Sequence, residues 1–96
     1  MKVTWDRAKN LFNKKKHGVS FEEASELFRS GTDYLELFDD AHSDDEDRFI
    51  AIGLIKRGLV LVVWTERDEH VVRIISARWA TRSEQGLFRS HLKKHT

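Results

Sequence analysis

The sequence predicts an α+β fold. It reads as one small domain over residues 1–96, with an antiparallel sheet, two N-terminal helices and one C-terminal helix in the order β-α-α-β-β-β-β-α. Three observations predict this. The runs "RFIAIGLIK", "LVLVVWTE" and "HVVRIISAR" are rich in Ile and Val and are parted only by "KRG" and "RDE", the pattern of three consecutive strands. Ser20-x-x-Glu23 and Thr81-x-x-Glu84 are capping boxes, and each opens a segment with apolar residues at helical spacing. Finally, 96 residues lie near the low end of what folds alone around a single core.

The elements follow in order. "KVTW" alternates and is a short first strand. Asp6 stands at an N-cap, where its carboxylate can accept free backbone N–H groups. Ala8, Leu11, Phe12 and Lys15 then fall at helical spacing and form the stripe expected to pack. Gly18 ends that helix, since glycine tolerates the left-handed backbone of a C-cap. Lys14, Lys15, Lys16 and His17 therefore occupy its last turn, where the helix dipole favours cations. Ser20 opens the second helix, Phe21, Ala24, Leu27 and Phe28 give it a buried stripe, and Gly31 stops it. "YLELF" is the second strand. In the three strands that follow, both side-chain parities are apolar, so both sheet faces are at least partly covered. The last helix carries Leu87, Phe88 and Leu92, and Gly86 inside it costs about 1 kcal/mol against alanine.

Composition narrows the function. Without cysteine there is no disulfide or thiolate chemistry, which suits a reducing cytosol. "MKVTWD" has no apolar region of a secretory signal. The longest apolar run, Leu59 to Trp64, falls far short of the ~20 residues that span a bilayer. A cytoplasmic protein with no membrane segment is expected. The net charge of +1 hides a segregation. Residues 33–47, "DYLELFDDAHSDDED", hold eight acids and no Lys or Arg, while the remainder holds all 17 Lys and Arg against eight acids, a balance of +9. Such a chain can present a basic face and an acidic segment separately, and a basic face attracts polyanions. From charge alone, an ordinary solvated loop accounts for the acidic segment more simply than a function does.

No P-loop, zinc motif or nucleophile elbow is present. "DDAHSDDED" lacks the glycine and the final glutamate of an EF-hand loop. His91 and His95 share a helix face, but two ligands are too few for a structural metal. No metal site and no cofactor is expected. More informative are the arginines in ordered elements: Arg48 at the start of a strand, Arg73 within the last strand, and Arg78 at its end beside Trp79. A half-buried arginine needs a partner. A carboxylate of the acidic segment (Asp45, Glu46 or Asp47) can serve, and so can a phosphate gripped through two parallel hydrogen bonds. Arg73 and Arg78 lie five residues apart, so strand alternation sends them to opposite faces unless a bulge intervenes near Ser76 or Ala77.

Several separated blocks now show a resemblance. "WDRAKN", "KHGVSFEEASELF", "DDAHSDDEDRFIAIG", "LVLVVWTER" and "RIISARWATRSE" occur in that order, from Trp5 to about Phe88, and closely resemble the BrnT family of bacterial type II toxins. The resemblance implies a compact fold like that of the RelE-type endoribonucleases and an RNA-cleaving toxin that arrests growth by blocking translation. It also implies a cognate ribbon-helix-helix antitoxin that neutralises the toxin, represses the shared operon and alone contacts operator DNA, in a heterotetrameric complex. Carried over position by position, the family's recurring polar residues match Lys9, Lys16, His17, Glu23, Arg48, Arg73, Arg78 and Glu84. Two positions depart from the family: Trp79 stands where a second basic residue is common, and Phe88 where a tyrosine is common. Phe88 cannot transfer a proton.

RNA cleavage without a metal needs a base for the 2′-OH proton, a cation for the crowded phosphate and an acid for the leaving 5′-oxygen. On this reading the catalytic candidates are His17, as base or acid, with Arg78 and Arg73 on the phosphate. Arg78, at the more open strand end, is the first choice. Lys9, Lys16, Arg48 and Trp79 are the candidate RNA contacts, Trp79 by stacking if it lies on an open face and by core packing if it does not. Glu23 and Glu84 could also act as bases, but their caps already explain them. His17 could instead merely cap the helix end and fill a corner. The same fold could grip RNA or an antitoxin without doing chemistry, a reading that Phe88 and Trp79 favour.

Overall fold

Five segments pair into one sheet in the order β1-β5-β4-β3-β2: β1 Lys2–Trp5, β2 Tyr34–Phe38, β3 Phe49–Ile55, β4 Gly58–Asp68 and β5 Val71–Trp79. They belong to a computed structural model that describes residues 1–29 and 31–94. The β2–β5 ladders are antiparallel, as expected. β1 runs parallel to β5, from Lys2↔Val71 to Trp5↔Ile74, so the sheet is mixed rather than wholly antiparallel. Alternation in "KVTW" marks a strand but says nothing about the direction of its partner.

Around the sheet lie α1 Arg7–His17, α2 Phe21–Ala24, α3 Glu26–Arg29 and α4 Arg82–Lys94. The predicted second helix is broken at Ser25, whose hydroxyl donates to the Glu22 carbonyl at 2.6 Å, a local bond that competes with helix continuation. Asp6 caps α1 by accepting from the Lys9 N–H, and Gly18 closes it with φ 74°. Both capping boxes form: Ser20 and Glu23 exchange bonds, as do Thr81 and Glu84. Among the described residues no helix is long and apolar enough to cross a membrane.

Each sheet face is covered. On one, Val60, Val62, Trp64, Val72, Ile74 and Ala77 pack with Val19, Phe21, Ala24 and Leu27. On the other, Ile52 and Leu61 pack with Ala80 and Phe88 of the C-terminal segment. Thus alternate residues of β4 serve two cores, which is why its sequence is apolar at both parities.

α1 departs from its predicted orientation. Leu11 and Phe12 are 65% and 66% exposed, while Asn10 and Asn13 are buried. The cause is the edge of β5. β1 ends at Trp5, opposite Ile74, and leaves the outer edge of β5 beyond it without a strand partner. Asn13 takes that place: its Nδ2 donates to the Ala77 carbonyl at 2.8 Å and its Oδ1 accepts the Ala77 N–H at 3.2 Å. The same Nδ2 lies 3.0 Å from the Val19 carbonyl. Asn10 accepts the Phe21 N–H and donates to Glu22. Leucine at these positions would leave buried backbone groups unsatisfied.

Candidate active site

Cross-strand register assembles the floor of a groove. Ile50 opposes Val63, Val63 opposes Ser76, and Leu61 opposes Arg78, all on the face away from α2 and α3. Glu84 of α4 forms one wall, and Asp39, His42 and Arg48 form another, around ≈ 370 Å³. A second groove of ≈ 370 Å³ lies against α1 and is lined by Lys9, Phe12, Asn13, Lys16 and His17. Ile75 and Ser76 line both, so the two grooves meet over them. That junction is a β-bulge. Val63 pairs with Ser76 and Trp64 with Ile74, which leaves Ile75 as an extra residue. It lies one residue before the expected position.

The bulge resets alternation, so by register Arg73 and Arg78 fall on one sheet face. They still do not meet on a shared site. Arg73 is not among the residues lining either groove; it sits opposite Thr4 and Thr65, and its charge acts on Asp6. Arg78 does line the first groove, but its fork is already engaged. Nη1 and Nη2 each lie 2.8 Å from a different oxygen of Glu84. This bidentate pair raises the Arg78 pKa and, with the Thr81 N–H, holds the Glu84 carboxyl down at about 2, against its burial. The partner of Arg78 is therefore the first turn of α4 rather than the acidic segment. Glu46 of that segment instead lies 3.8 Å from Arg48 Nε and 3.9 Å from Arg67.

Arg48 is different. Its Nε is buried and has no hydrogen-bond acceptor among the described residues, since 3.8 Å to Glu46 is too long for one. A buried donor left open in a groove wall is costly unless something fills it. Lys9, Lys16 and His17 stand together, and Lys16 Nζ sits 6.0 Å over the exposed Phe12 ring. The C-cap bond of α1 is made by the Gly18 N–H to the Lys14 carbonyl, so His17 is not needed for it.

Trp79 lies elsewhere. It packs against the core under the helices, close to Gly18 and Gly58, with the Arg57 guanidinium 5.0 Å over its ring. Arg57 also donates to the Gly18 carbonyl and to Glu23, and this pairing holds the Glu23 carboxyl at about 2. Glu23 thus ties the α1–α2 corner to the β3–β4 turn. Phe88 is buried in the second core. Sequence reasoning missed Asn10, Asn13, Asp39, His42 and Arg57. Asn10 and Asn13 lie three apart on one helix face, a legible signal; the "KRG" containing Arg57 reads only as a turn. Among the described residues no three potential metal ligands converge, and His91 pairs with Asp33 at 3.1 Å. His95, its suggested companion, lies outside the described residues.

The sequence profile of the family described as "Ribonuclease toxin, BrnT, of type II toxin-antitoxin system" matches residues 5–84. The chain belongs to the BrnT family. No curated protein sequence matches it. Its structure is similar to the crystal structure of the Brucella abortus ribonuclease toxin BrnT, with 25% identity and a TM-score of 0.63 over 85% of this chain and 99% of that one. The fold is thus similar to that of a BrnT toxin, and the family is one of ribonuclease toxins of type II toxin–antitoxin systems.

Proposed function

We propose that this BrnT-family chain is a metal-independent endoribonuclease that cuts RNA through the 2′-OH in the cleft where the two grooves meet. The observation that carries this is Arg48, whose Nε is buried without a hydrogen-bond acceptor among the described residues, in the wall of a groove that meets the one bearing Lys9, Lys16 and His17. The partly exposed Arg48 side chain would pair with a phosphate, the lysines would draw the backbone in, and His17 would transfer a proton. Arg48 takes the phosphate role first considered for Arg78, because the Arg78 fork is engaged by Glu84. Arg73 and Trp79 are structural in this reading.

The setting is the cytoplasm, and the effect is arrest of translation. Family membership supports an antitoxin partner, for which we infer a ribbon-helix-helix protein that binds as a heterotetramer and covers the basic rim. A second reading, an RNA- or antitoxin-binding module with weak or no catalysis, is favoured by the engaged Arg78 fork and the buried Phe88. Incubating the purified chain with mixed-sequence RNA in EDTA separates them. Products ending in 2′,3′-cyclic phosphate are expected. Cleavage that stops in EDTA and returns with a divalent ion would refute the mechanism; tight binding without cleavage would favour the second reading.

A further inference from the structure

Asp39 precedes a 3-10 turn, Asp40–His42, yet its carboxylate makes no capping bond there. It holds His42 instead, with Oδ2 at 3.1 Å and Oδ1 at 3.2 Å from the imidazole Nδ1. The Asp39 side chain is 12% exposed and that of His42 is 69% exposed. A largely buried carboxylate thus grips one ring nitrogen and leaves Nε2 to whatever enters the groove. The turn is also tied to Arg48 at two points. The Asp39 N–H donates to the Arg48 carbonyl at 2.8 Å, and the Arg48 N–H donates to Ser43 Oγ at 3.0 Å. The Ser43 hydroxyl in turn donates to the Asp39 carbonyl at 2.6 Å. The turn that carries the dyad is therefore tied to the backbone of Arg48.

Cleavage through the 2′-OH is an in-line displacement, so the attacking and leaving oxygens lie on opposite sides of phosphorus. One imidazole on one rim cannot serve both. Two imidazoles flank the junction over Ile75 and Ser76: His17 in one groove and His42 in the other.

We propose that His42, oriented by Asp39, is the general base of the cleavage; this rests on the ribonuclease reading above. Nε2 takes the proton of the 2′-OH, and the 2′-oxygen forms its bond to phosphorus while Arg48 holds a non-bridging oxygen. The bond from phosphorus to the 5′-oxygen breaks, and His17 donates a proton to that oxygen, giving a 2′,3′-cyclic phosphate and a 5′-OH. Asp39 stabilises the imidazolium formed on His42, as a carboxylate behind a catalytic histidine does. The other charged groups around His42 are Asp44, Asp45, Glu46, Arg48 and Arg78, the last paired with Glu84.

The test compares the parent with His42→Asn, His42→Gln and Asp39→Asn on one RNA, with the 2′-O-methyl form of that RNA as an uncleavable binding probe. The two His42 variants are expected to cleave at least about 100-fold more slowly, with the acid limb of the rate–pH profile gone. Their affinity for the probe should stay within about twofold and their melting temperature should be unchanged. Asp39→Asn should slow cleavage about tenfold and shift that limb. A parent that does not cleave RNA overturns the ribonuclease reading and the dyad with it. A cleaving parent whose His42 variants keep its rate and pH profile overturns the dyad alone. So does a loss of cleavage matched by an equal loss of probe binding, which makes His42 a contact rather than a base.

Discussion

At the scale of single residues, the two arginines of the first groove differ in one respect that decides their roles. Arg78 is held by two hydrogen bonds to Glu84, whereas Arg48 Nε has only Glu46 at 3.8 Å, too far for a hydrogen bond. Arg48→Ala should therefore abolish growth arrest on expression while the melting temperature stays nearly constant. Arg78→Ala should lower the melting temperature, because it frees α4 from the end of β5. The reverse pattern would return the phosphate to Arg78. The same pairing sets a pH dependence. Glu84 and Glu23 are both held at about 2 in the folded chain, first by Arg78 and Arg57 respectively, against an ordinary value of 4.5. Their folded-state values are depressed, so their contribution is full above about 4.5 and is lost as pH falls through about 2. Urea unfolding from pH 7 to pH 2 should show stability falling across that window. Glu84→Gln should be weaker than the parent at pH 7 and converge with it near pH 2; a constant gap would mean that the Arg78–Glu84 pair does not carry this dependence.

At the scale of elements, α1 reverses what hydrophobic periodicity implies. Asn13→Leu, which would complete an apolar helix face, should destabilise the chain by more than about 2 kcal/mol, because the Ala77 N–H and two carbonyls lose their partner. Leu11→Ala should cost no more than about 0.5 kcal/mol, as an exposed side chain does. Chemical denaturation of the two variants gives the ordering. The strands, both capping boxes and the Gly18 stop were legible because they depend on local rules: alternation, Ser or Thr with Glu three residues on, and a left-handed cap. What was illegible depends on partners distant in sequence. Nothing in "NLFN" reveals an unpaired edge at Ala77, and nothing in "SAR" reveals that Glu84 occupies the arginine. Lys9, Lys16 and His17 were legible as a cluster because one helix carries all three. Arg48 lines the neighbouring groove, which meets theirs over Ile75 and Ser76. Glycine positions divide in the same way. A Cβ on Gly53 would meet Leu27 at 2.7 Å and Tyr34 at 2.8 Å, whereas one on Gly86 would meet nothing within 4 Å. Gly53→Ala should destabilise, and Gly86→Ala should stabilise by about 0.5–1 kcal/mol.

At the scale of the molecule, the acidic segment and the basic residues are not held apart as their separation in sequence suggests. Asp44, Asp45 and Glu46 line a groove with His42 and Arg48, directly beside the cleft. A polyanion therefore meets a repulsive rim on that side and an attractive one along α1, where Lys9 and Lys16 stand. The backbone of a bound RNA should approach along α1 and end at Arg48 instead of spreading over the whole basic surface. Single-strand binding loses about 0.7 in the slope of log K against log salt for each phosphate neutralised. Lys9→Gln combined with Lys16→Gln should thus flatten the slope for 2′-O-methyl RNA by about 1.4. Asp44→Asn with Asp45→Asn should tighten binding at low salt by removing repulsion, and the gain should fade as screening grows. A slope unchanged by the lysine pair would place the RNA path off α1. An affinity unchanged by the aspartate pair would mean that the acidic rim does not steer it.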